Sequence, residues 1–306
     1  MVSHAMPPDA AVLHDTDKVP QPPGGPLRDY ILTDYAPVCE PAGRLHSVSV
    51  LRHFLRVHGL TGLWPIVTRC QELLGPDETV WGTKYLPDGS ASIELYFYVI
   101  REREDAAARK RKTVSHLVAG LADVVQIDSR LDERLDYFMC SLELDRSVVD
   151  TGKSPGFRIY VSGNRRVEGY DGISYWVKGD ELLQENYYLF YRAETELEAA
   201  RARFAGSVRA GSTESRARLF PAWLASCFTV CFATKRFTDA LYFSRVDTPQ
   251  LLRFLDQYMP GPVTDMLHSE QDAFAHLRWD VGYDFTTSAT DSTTAKVLKA
   301  GFYGFA

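Results

Sequence analysis

The sequence predicts an α+β protein: a closed antiparallel ten-stranded barrel made of five hairpins, with α-helices around the outside. Two observations carry that prediction. A strand–turn–strand signature occurs five times, with helical stretches between the copies. Within those strands, aliphatic residues alternate with Tyr, Arg, Lys and Glu, so one face suits helices and the other suits a polar interior. Single strands alternating with helices would indicate a parallel sheet, whereas paired strands indicate an antiparallel one. Ten antiparallel strands either leave two open edges or close, and a barrel of that size holds a cavity. A three-layer α+β sandwich is the alternative that the pattern leaves open.

The clearest hairpin occupies residues 80–99, VWGTKYLPDGSASIELYFYV. An aromatic and β-branched run meets a Pro-Asp-Gly-Ser turn, and a second run returns. In the return strand Ile93, Leu95, Phe97 and Val99 point one way, and Glu94, Tyr96 and Tyr98 the other. The second pair is LDYFMCSLEL with GFRIYVSG, in which Arg158, Tyr160 and Ser162 share a face. ISYWVKG and NYYLFYRAE form the third, turning near Gly179 and Asp180. TVCFATKRFTDALYFSRV is the fourth, with Lys235 near its turn and Tyr242 in its return strand. LRWDVGYDF and KVLKAGFYGF are the fifth, with Lys299, Gly301 and Tyr303 on one face.

Helices are predicted where apolar residues recur at helical spacing. Residues 45–74 hold two, divided at Gly59 and Gly62, and TVSHLVAGLADVV is a short amphipathic one. ELEAARARFAGSVRA, residues 215–226, DTPQLLRFLDQYM and residues 265–277 supply the others. In the third of these Asp247 is placed to cap and Pro249 lies in the first turn. The basic run at residues 109–112 and the DERLD stretch from Asp132 read as solvated surface. Residues 1–27, rich in Pro, Ala, Asp and Gly, read as a disordered or draped leader; residues 28–306 form one domain.

Composition bounds the function. The chain has 306 residues, is 45% hydrophobic and 12% aromatic, and carries a formal net charge of −6. An acidic balance argues against a nucleic-acid surface. No apolar run reaches membrane-spanning length and no apolar signal core opens the chain, so no membrane partner and a cytoplasmic location are expected. The five cysteines are scattered; Cys227 and Cys231 lie four apart, but no second Cys or His pair accompanies them. They read as reduced, buried thiols.

The order of these motifs resembles the aromatic prenyltransferases of the ABBA, or prenyltransferase-barrel, type, including dimethylallyl-tryptophan synthases and bacterial members. LPDGSASIELYFY is similar to that family's first hairpin, with its acidic-Gly turn and a Glu on the returning strand. LDYFMCSLEL followed by GFRIYV is similar to an Asp-aromatic-Phe segment leading to a cation-x-Tyr strand. DALYFSRVDTPQLLRFL and VLKAGFYGF resemble return strands of bacterial members, so the likeness spans residues 45–306.

The resemblance implies transfer of a dimethylallyl or longer prenyl group from a prenyl diphosphate to an indole or phenol, free or in a small peptide, in secondary metabolism. It implies Glu94 as the catalytic carboxylate, holding the acceptor N–H or O–H at the end of the pocket away from the diphosphate. Arg158, Tyr160, Tyr242, Lys299, Tyr303 and Lys84 would bind the diphosphate. Lys84 and Lys235 lie close to hairpin turns, where a one-residue slip turns a side chain outward. The resemblance implies no metal or other cofactor, and no DDxxD run occurs, so a metal-bridged, all-helical isoprenoid synthase is not supported. The third hairpin departs from the family pattern: Tyr187, Leu189 and Tyr191 stand where two cations are expected, and Arg192 has the opposite parity. That departure keeps two other readings open, a non-catalytic barrel for a hydrophobic ligand and an unrelated α+β interaction protein.

Overall fold

The alternation in the first hairpin sets how the barrel is built. Ile93, Leu95 and Phe97 are fully buried against helices, while Glu94, Tyr96 and Tyr98 turn to the lumen and are buried there. A strand covered on both faces has no solvent side. The computed structural model describes residues 10–99, 106–131, 135–165, 169–288 and 290–306.

Helices α1 (Val48–Val57) and α2 (Trp64–Leu74) come first, joined through a 3-10 turn at Thr61–Leu63. Strands β1 (Val80–Tyr85) and β2 (Ala91–Tyr98) form the first hairpin. After α3 (Ala106–Arg111) and α4 (Val114–Gly120), the two-residue β3 (Gln126–Ile127) precedes β4 (Met139–Leu144). Helix α5 (Arg146–Thr151) and β5 (Lys153–Ser154) then lead to β6 (Phe157–Arg165). β7 (Tyr170–Lys178) and β8 (Glu181–Arg192) follow, then α6 (Ala193–Ala205) and α7 (Thr213–Leu219). β9 (Thr229–Lys235) and β10 (Asp239–Asp247) make the fourth hairpin. Helices α8 (Thr248–Tyr258), α9 (Pro262–Ser269) and α10 (Gln271–Phe274) precede β11 (Arg278–Thr287) and β12 (Ala295–Phe305).

Ten of these strands close into one barrel in the order β1-β12-β11-β10-β9-β8-β7-β6-β4-β2, with antiparallel pairing throughout. β3 and β5 form a separate parallel pair. The closed antiparallel barrel expected from the hairpin count is therefore the observed architecture. β1 closes it against β12, with Val80 opposite Phe305 and Gly82 opposite Tyr303.

The helices pack on the outside by their apolar faces. Val50, Leu51, Phe54 and Leu55 of α1 and Leu251, Phe254 and Leu255 of α8 are buried, and Trp81, Trp279 and Phe302 meet edge-to-face beneath them. Helix α8 starts as its sequence dictates. Asp247 accepts from the Gln250 N–H at 2.9 Å, and the Gln250 side chain accepts from the Asp247 N–H at 2.9 Å.

Three local expectations change. The helix expected at 265–277 breaks at Glu270 into α9 and α10, and the one expected at 215–226 is α7 plus a 3-10 turn at Ala222–Leu224. Lys112, read as solvated, is buried, and its Nζ donates to Glu78 Oε2 at 2.9 Å. Residues 132–134 of the DERLD stretch lie outside the described residues. Residues 12–19 run along α1, where Arg56 Nε donates to Asp17 Oδ2 at 2.9 Å, and Leu13 and Leu27 join the core. Among the described residues no helix is long and apolar enough to cross a membrane.

Candidate active site

The barrel encloses a cavity of about 320 Å³, at the small end of the ~300–1,000 Å³ usual for ligand pockets. Its two ends differ in chemistry, and strand position explains why. Lys84 is near the end of β1, Glu143 near the end of β4, Arg158 near the start of β6 and Glu185 early in β8. Lys235 ends β9, Asp284 is late in β11 and Lys299 early in β12. All of these lie at the end of the barrel where the hairpins turn. Tyr98, Phe138, Tyr170, Phe190 and Phe243 line the other end.

The charged groups form a belt of four cations and four carboxylates. On one arc Lys84 Nζ donates to Glu94 Oε2 at 2.7 Å and Glu143 Oε2 at 2.9 Å. Arg158 completes that arc, donating to Glu143 at 2.6 Å, Glu185 at 2.7 Å and Glu94 at 3.2 Å, with its guanidinium 4.6 Å from the Trp176 ring. On the other arc Lys235 Nζ and Lys299 Nζ share Asp284, at 2.8 Å and 3.0 Å. Lys235 also donates to the Tyr242 hydroxyl at 3.0 Å. The first arc carries three carboxylates to two cations, the second two cations to one carboxylate.

Burial opposes ionisation of Glu94, but Lys84 and Arg158 outweigh it and hold the carboxyl far below its usual range. The same balance lowers Glu143 to about 2 and lowers Asp284 through Lys235 and Lys299. Burial and the neighbouring Lys235 depress Lys299. The tyrosines Tyr96, Tyr160, Tyr242 and Tyr303 are raised well above their usual value, first by burial, and stay protonated.

Every site residue expected from the sequence lines this cavity: Glu94, Arg158, Tyr160, Tyr242, Lys299, Tyr303, Lys84 and Lys235. Their grouping differs from the expectation. Glu94 does not stand apart from the expected diphosphate cations; Lys84 and Arg158 grip it. Its other donors are the Tyr96 hydroxyl at 2.9 Å and the Ser141 hydroxyl. Two donors reach each oxygen, which fills the carboxylate's accepting capacity. Register is the cause: Gly82 lies opposite Glu94, Glu94 opposite Glu143, and Ser141 opposite both Tyr96 and Arg158. Parity predicts the face of a strand, but only register names the neighbour.

The third hairpin also corrects the expectation. Asn186, Tyr188 and Phe190, not Tyr187, Leu189 and Tyr191, face the lumen. A register shift between Ser174 and Tyr175 leaves Glu185 unpaired, where it reaches Arg158. Leu189 and Tyr191 are buried in the apolar core, and Arg192 lies 4.8 Å from the Phe228 ring. Glu143, Glu185 and Asp284 went unnoticed in the sequence, although each sits on a strand at lumen parity or at a bulge.

Two glycines explain how the tyrosine rings lie on the wall. Gly82 pairs with Tyr303 and Gly282 with Tyr242. A Cβ on Gly82 would stand 2.4 Å from the Tyr303 ring, and one on Gly282 2.2 Å from the Tyr242 ring. The missing side chains give the rings room against the backbone.

Four cysteines are buried; burial pushes the Cys70 and Cys227 thiols up to about 12 and raises Cys231, which faces the cavity, further. Among the described residues no group of three or more His, Cys, Asp or Glu is placed to hold a metal ion.

The chain resembles a dimethylallyltryptophan synthase. One solved structure it is similar to is 6-dimethylallyltryptophan synthase from Micromonospora olivasterospora in complex with DMASPP and Trp, 11% identical in sequence. The likeness covers 80% of this chain and 96% of that chain, with a TM-score of 0.43. No protein family model matches the sequence, and neither does any curated protein.

Proposed function

We propose that the lumen is a reaction chamber for aromatic prenyl transfer from a prenyl diphosphate to an indole or phenol. The observation that carries this reading is the split of the charged belt beneath a tyrosine-lined wall. Lys235 and Lys299 share one carboxylate and so retain excess positive charge beside the Tyr242 hydroxyl. That arc suits a diphosphate leaving group, whose growing negative charge two ammoniums and a phenol would stabilise. The carbon–oxygen bond breaks, the diphosphate keeps the electron pair, and an allylic cation remains. The faces of Tyr96, Tyr160, Tyr188 and Tyr303 shield that cation from water and favour it electrostatically. An acceptor ring carbon then bonds to the cation and the ring loses a proton. In the carboxylate-rich arc Glu185, which borders the cavity, would orient the acceptor N–H or O–H and receive the proton the ring loses, while Glu94 and Glu143 draw positive charge towards the arc. Turnover without added magnesium belongs to the same proposal.

A second reading is favoured by one specific observation: each of these four lumen cations already has a carboxylate partner. A neutral belt suits a barrel that binds a hydrophobic ligand and performs no diphosphate chemistry. Calorimetric titration with dimethylallyl diphosphate and with dimethylallyl alcohol separates the two. Prenyl transfer requires the diphosphate to bind more tightly, and replacing Lys235 or Lys299 by Met to weaken it about tenfold to hundredfold. It also requires a mass gain of one prenyl unit on an indole or phenol in chelator-treated buffer. Equal affinity for alcohol and diphosphate, with no product, would establish the ligand-binding reading instead.

A further inference from the structure

Residues 28–34, ahead of α1, fold back on themselves and deliver one side chain into the lumen. Arg28 and Asp34 form a β-bridge at the neck, and the Leu32 N–H donates to Asp29 O at 2.9 Å across the tip. Tyr30 packs edge-on against three lumen tyrosines, with centroids 4.9 Å from Tyr96, 5.9 Å from Tyr98 and 4.9 Å from Tyr303. Asp29, Tyr30 and Ile31 all border the cavity.

The loop is clamped where β10 runs into α8 and β11 begins. Asp29 Oδ1 accepts from the Ile31 and Thr33 N–H groups, which fixes the turn, and Oδ2 accepts from Arg245 Nε at 2.7 Å. The Tyr30 N–H donates to Asp280 Oδ2 at 2.8 Å. Tyr35 returns the chain by pairing its hydroxyl with both the N–H and the carbonyl of Arg278. Leu32 and Arg245 both adopt left-handed backbone, at φ 55 and φ 58. Non-glycine residues hold that conformation only where the surroundings insist on it.

Tyr30 stands across the chamber from the Lys235–Lys299 arc. Along β12, Tyr303, whose ring lies 4.9 Å from that of Tyr30, is four residues beyond Lys299, a rise of roughly 13 Å. A ligand with its polar head on the belt therefore directs its apolar end at the Tyr30 ring.

We infer that Tyr30 is the floor of the chamber and sets how long an apolar chain it accepts. The inference rests on the reading of the lumen as a chamber for a prenyl or similar hydrophobic group, and names the residue that measures that group. With the ring in place the chamber takes a short branched chain; without it the space between Tyr96, Tyr98 and Tyr303 is open to a longer one.

Titration of wild-type protein, Tyr30→Ala, Tyr30→Leu and Tyr30→Phe with dimethylallyl alcohol, geraniol and farnesol tests this, read by calorimetry beside a thermal melt of each variant. The expected result is a preference for the shortest alcohol in wild type and Tyr30→Phe. Tyr30→Ala should shift about tenfold or more towards geraniol, with Tyr30→Leu between them if the alanine variant is poorly folded. Identical length profiles in folded wild type and in Tyr30→Leu or Tyr30→Ala overturn the role of Tyr30 while leaving the chamber reading intact. Failure of dimethylallyl diphosphate and of every alcohol to bind any folded variant overturns the chamber reading and this inference with it.

Discussion

Replacing Glu94 by Gln should cost stability before it costs anything else. The carboxylate is 3% exposed and receives Lys84, Arg158, Tyr96 and Ser141. An amide keeps the shape but turns one acceptor into a donor, and that donor faces an ammonium or a guanidinium. Removing one partner of a buried ion pair costs about 3–5 kcal/mol. Glu143 still contacts both cations, at 2.9 Å and 2.6 Å, so the low end, about 3 kcal/mol, applies. For a domain of this size, with an unfolding entropy of about 2.1 cal/mol/K per residue, that lowers the melting temperature by roughly 5 °C. The assay is thermal unfolding followed by near-ultraviolet circular dichroism, on Glu94→Gln, Lys84→Met and the double variant. If the two groups form one buried unit, the double variant loses less than the sum of the singles, with a coupling of about 0.5–3 kcal/mol. An unchanged melting temperature in Glu94→Gln, or strict additivity in the cycle, would refute the description of Glu94 as the centre of the belt.

Arg158→Met should behave differently from Lys299→Met: Arg158 links three carboxylates, so its loss should lower the melting temperature, whereas Lys299→Met should act on diphosphate affinity in the titration. Equal effects of both on affinity would contradict the assignment of the donor to the Lys235–Lys299 arc. Gly82→Ala and Gly282→Ala should drive the Tyr303 and Tyr242 rings off the wall, destabilising by about 1–3 kcal/mol each and narrowing the chamber; tighter alcohol binding by either variant would count against this. Acid should destabilise the protein early. His53, His58 and His276 are lowered from 6.5 to about 4, chiefly by burial, so the unfolded chain binds protons first. Their contribution is intact above pH 6.5 and lost as the pH falls towards 4. Glu143, lowered from 4.5 to about 2, adds a second loss below that. Melts across this range should show a steady decline, and a flat profile would remove the histidines from the account.

The hairpins were legible because strand alternation and turn residues are local signals. Leu95 beside Tyr96 announces two faces whatever lies across the sheet. The membership of the lumen was mostly legible for the same reason, since Glu94, Arg158, Tyr242 and Lys299 all follow from parity. Who touches whom was not. The salt bridges of Glu94 depend on the register of β1, β2, β4 and β6, set by pairings between residues far apart in sequence. The lumen face of β8 was misassigned because the register shift opposite Ser174 and Tyr175 leaves no mark in the residues themselves. Tyr30 was missed for a plainer reason: it sits in an irregular loop just after a Pro- and Gly-rich stretch, where neither period applies.

The seam between β1 and β12 has a consequence for how the molecule comes into being. Trp81 Nε1 donates to Phe305 O across 224 positions of sequence, and Thr79 and Ala306 exchange backbone hydrogen bonds beside it. Until β12 has emerged from the ribosome, β1 has no partner on that side and the growing sheet exposes a raw edge. The nascent chain must carry that edge, with its aromatic inner surface, from the synthesis of β1 until that of β12. Contacts this distant in sequence slow folding and lengthen exposure to other unpaired strands. Refolding from denaturant should accordingly be slow and sensitive to protein concentration, with chaperone demand concentrated before the final hairpin is made.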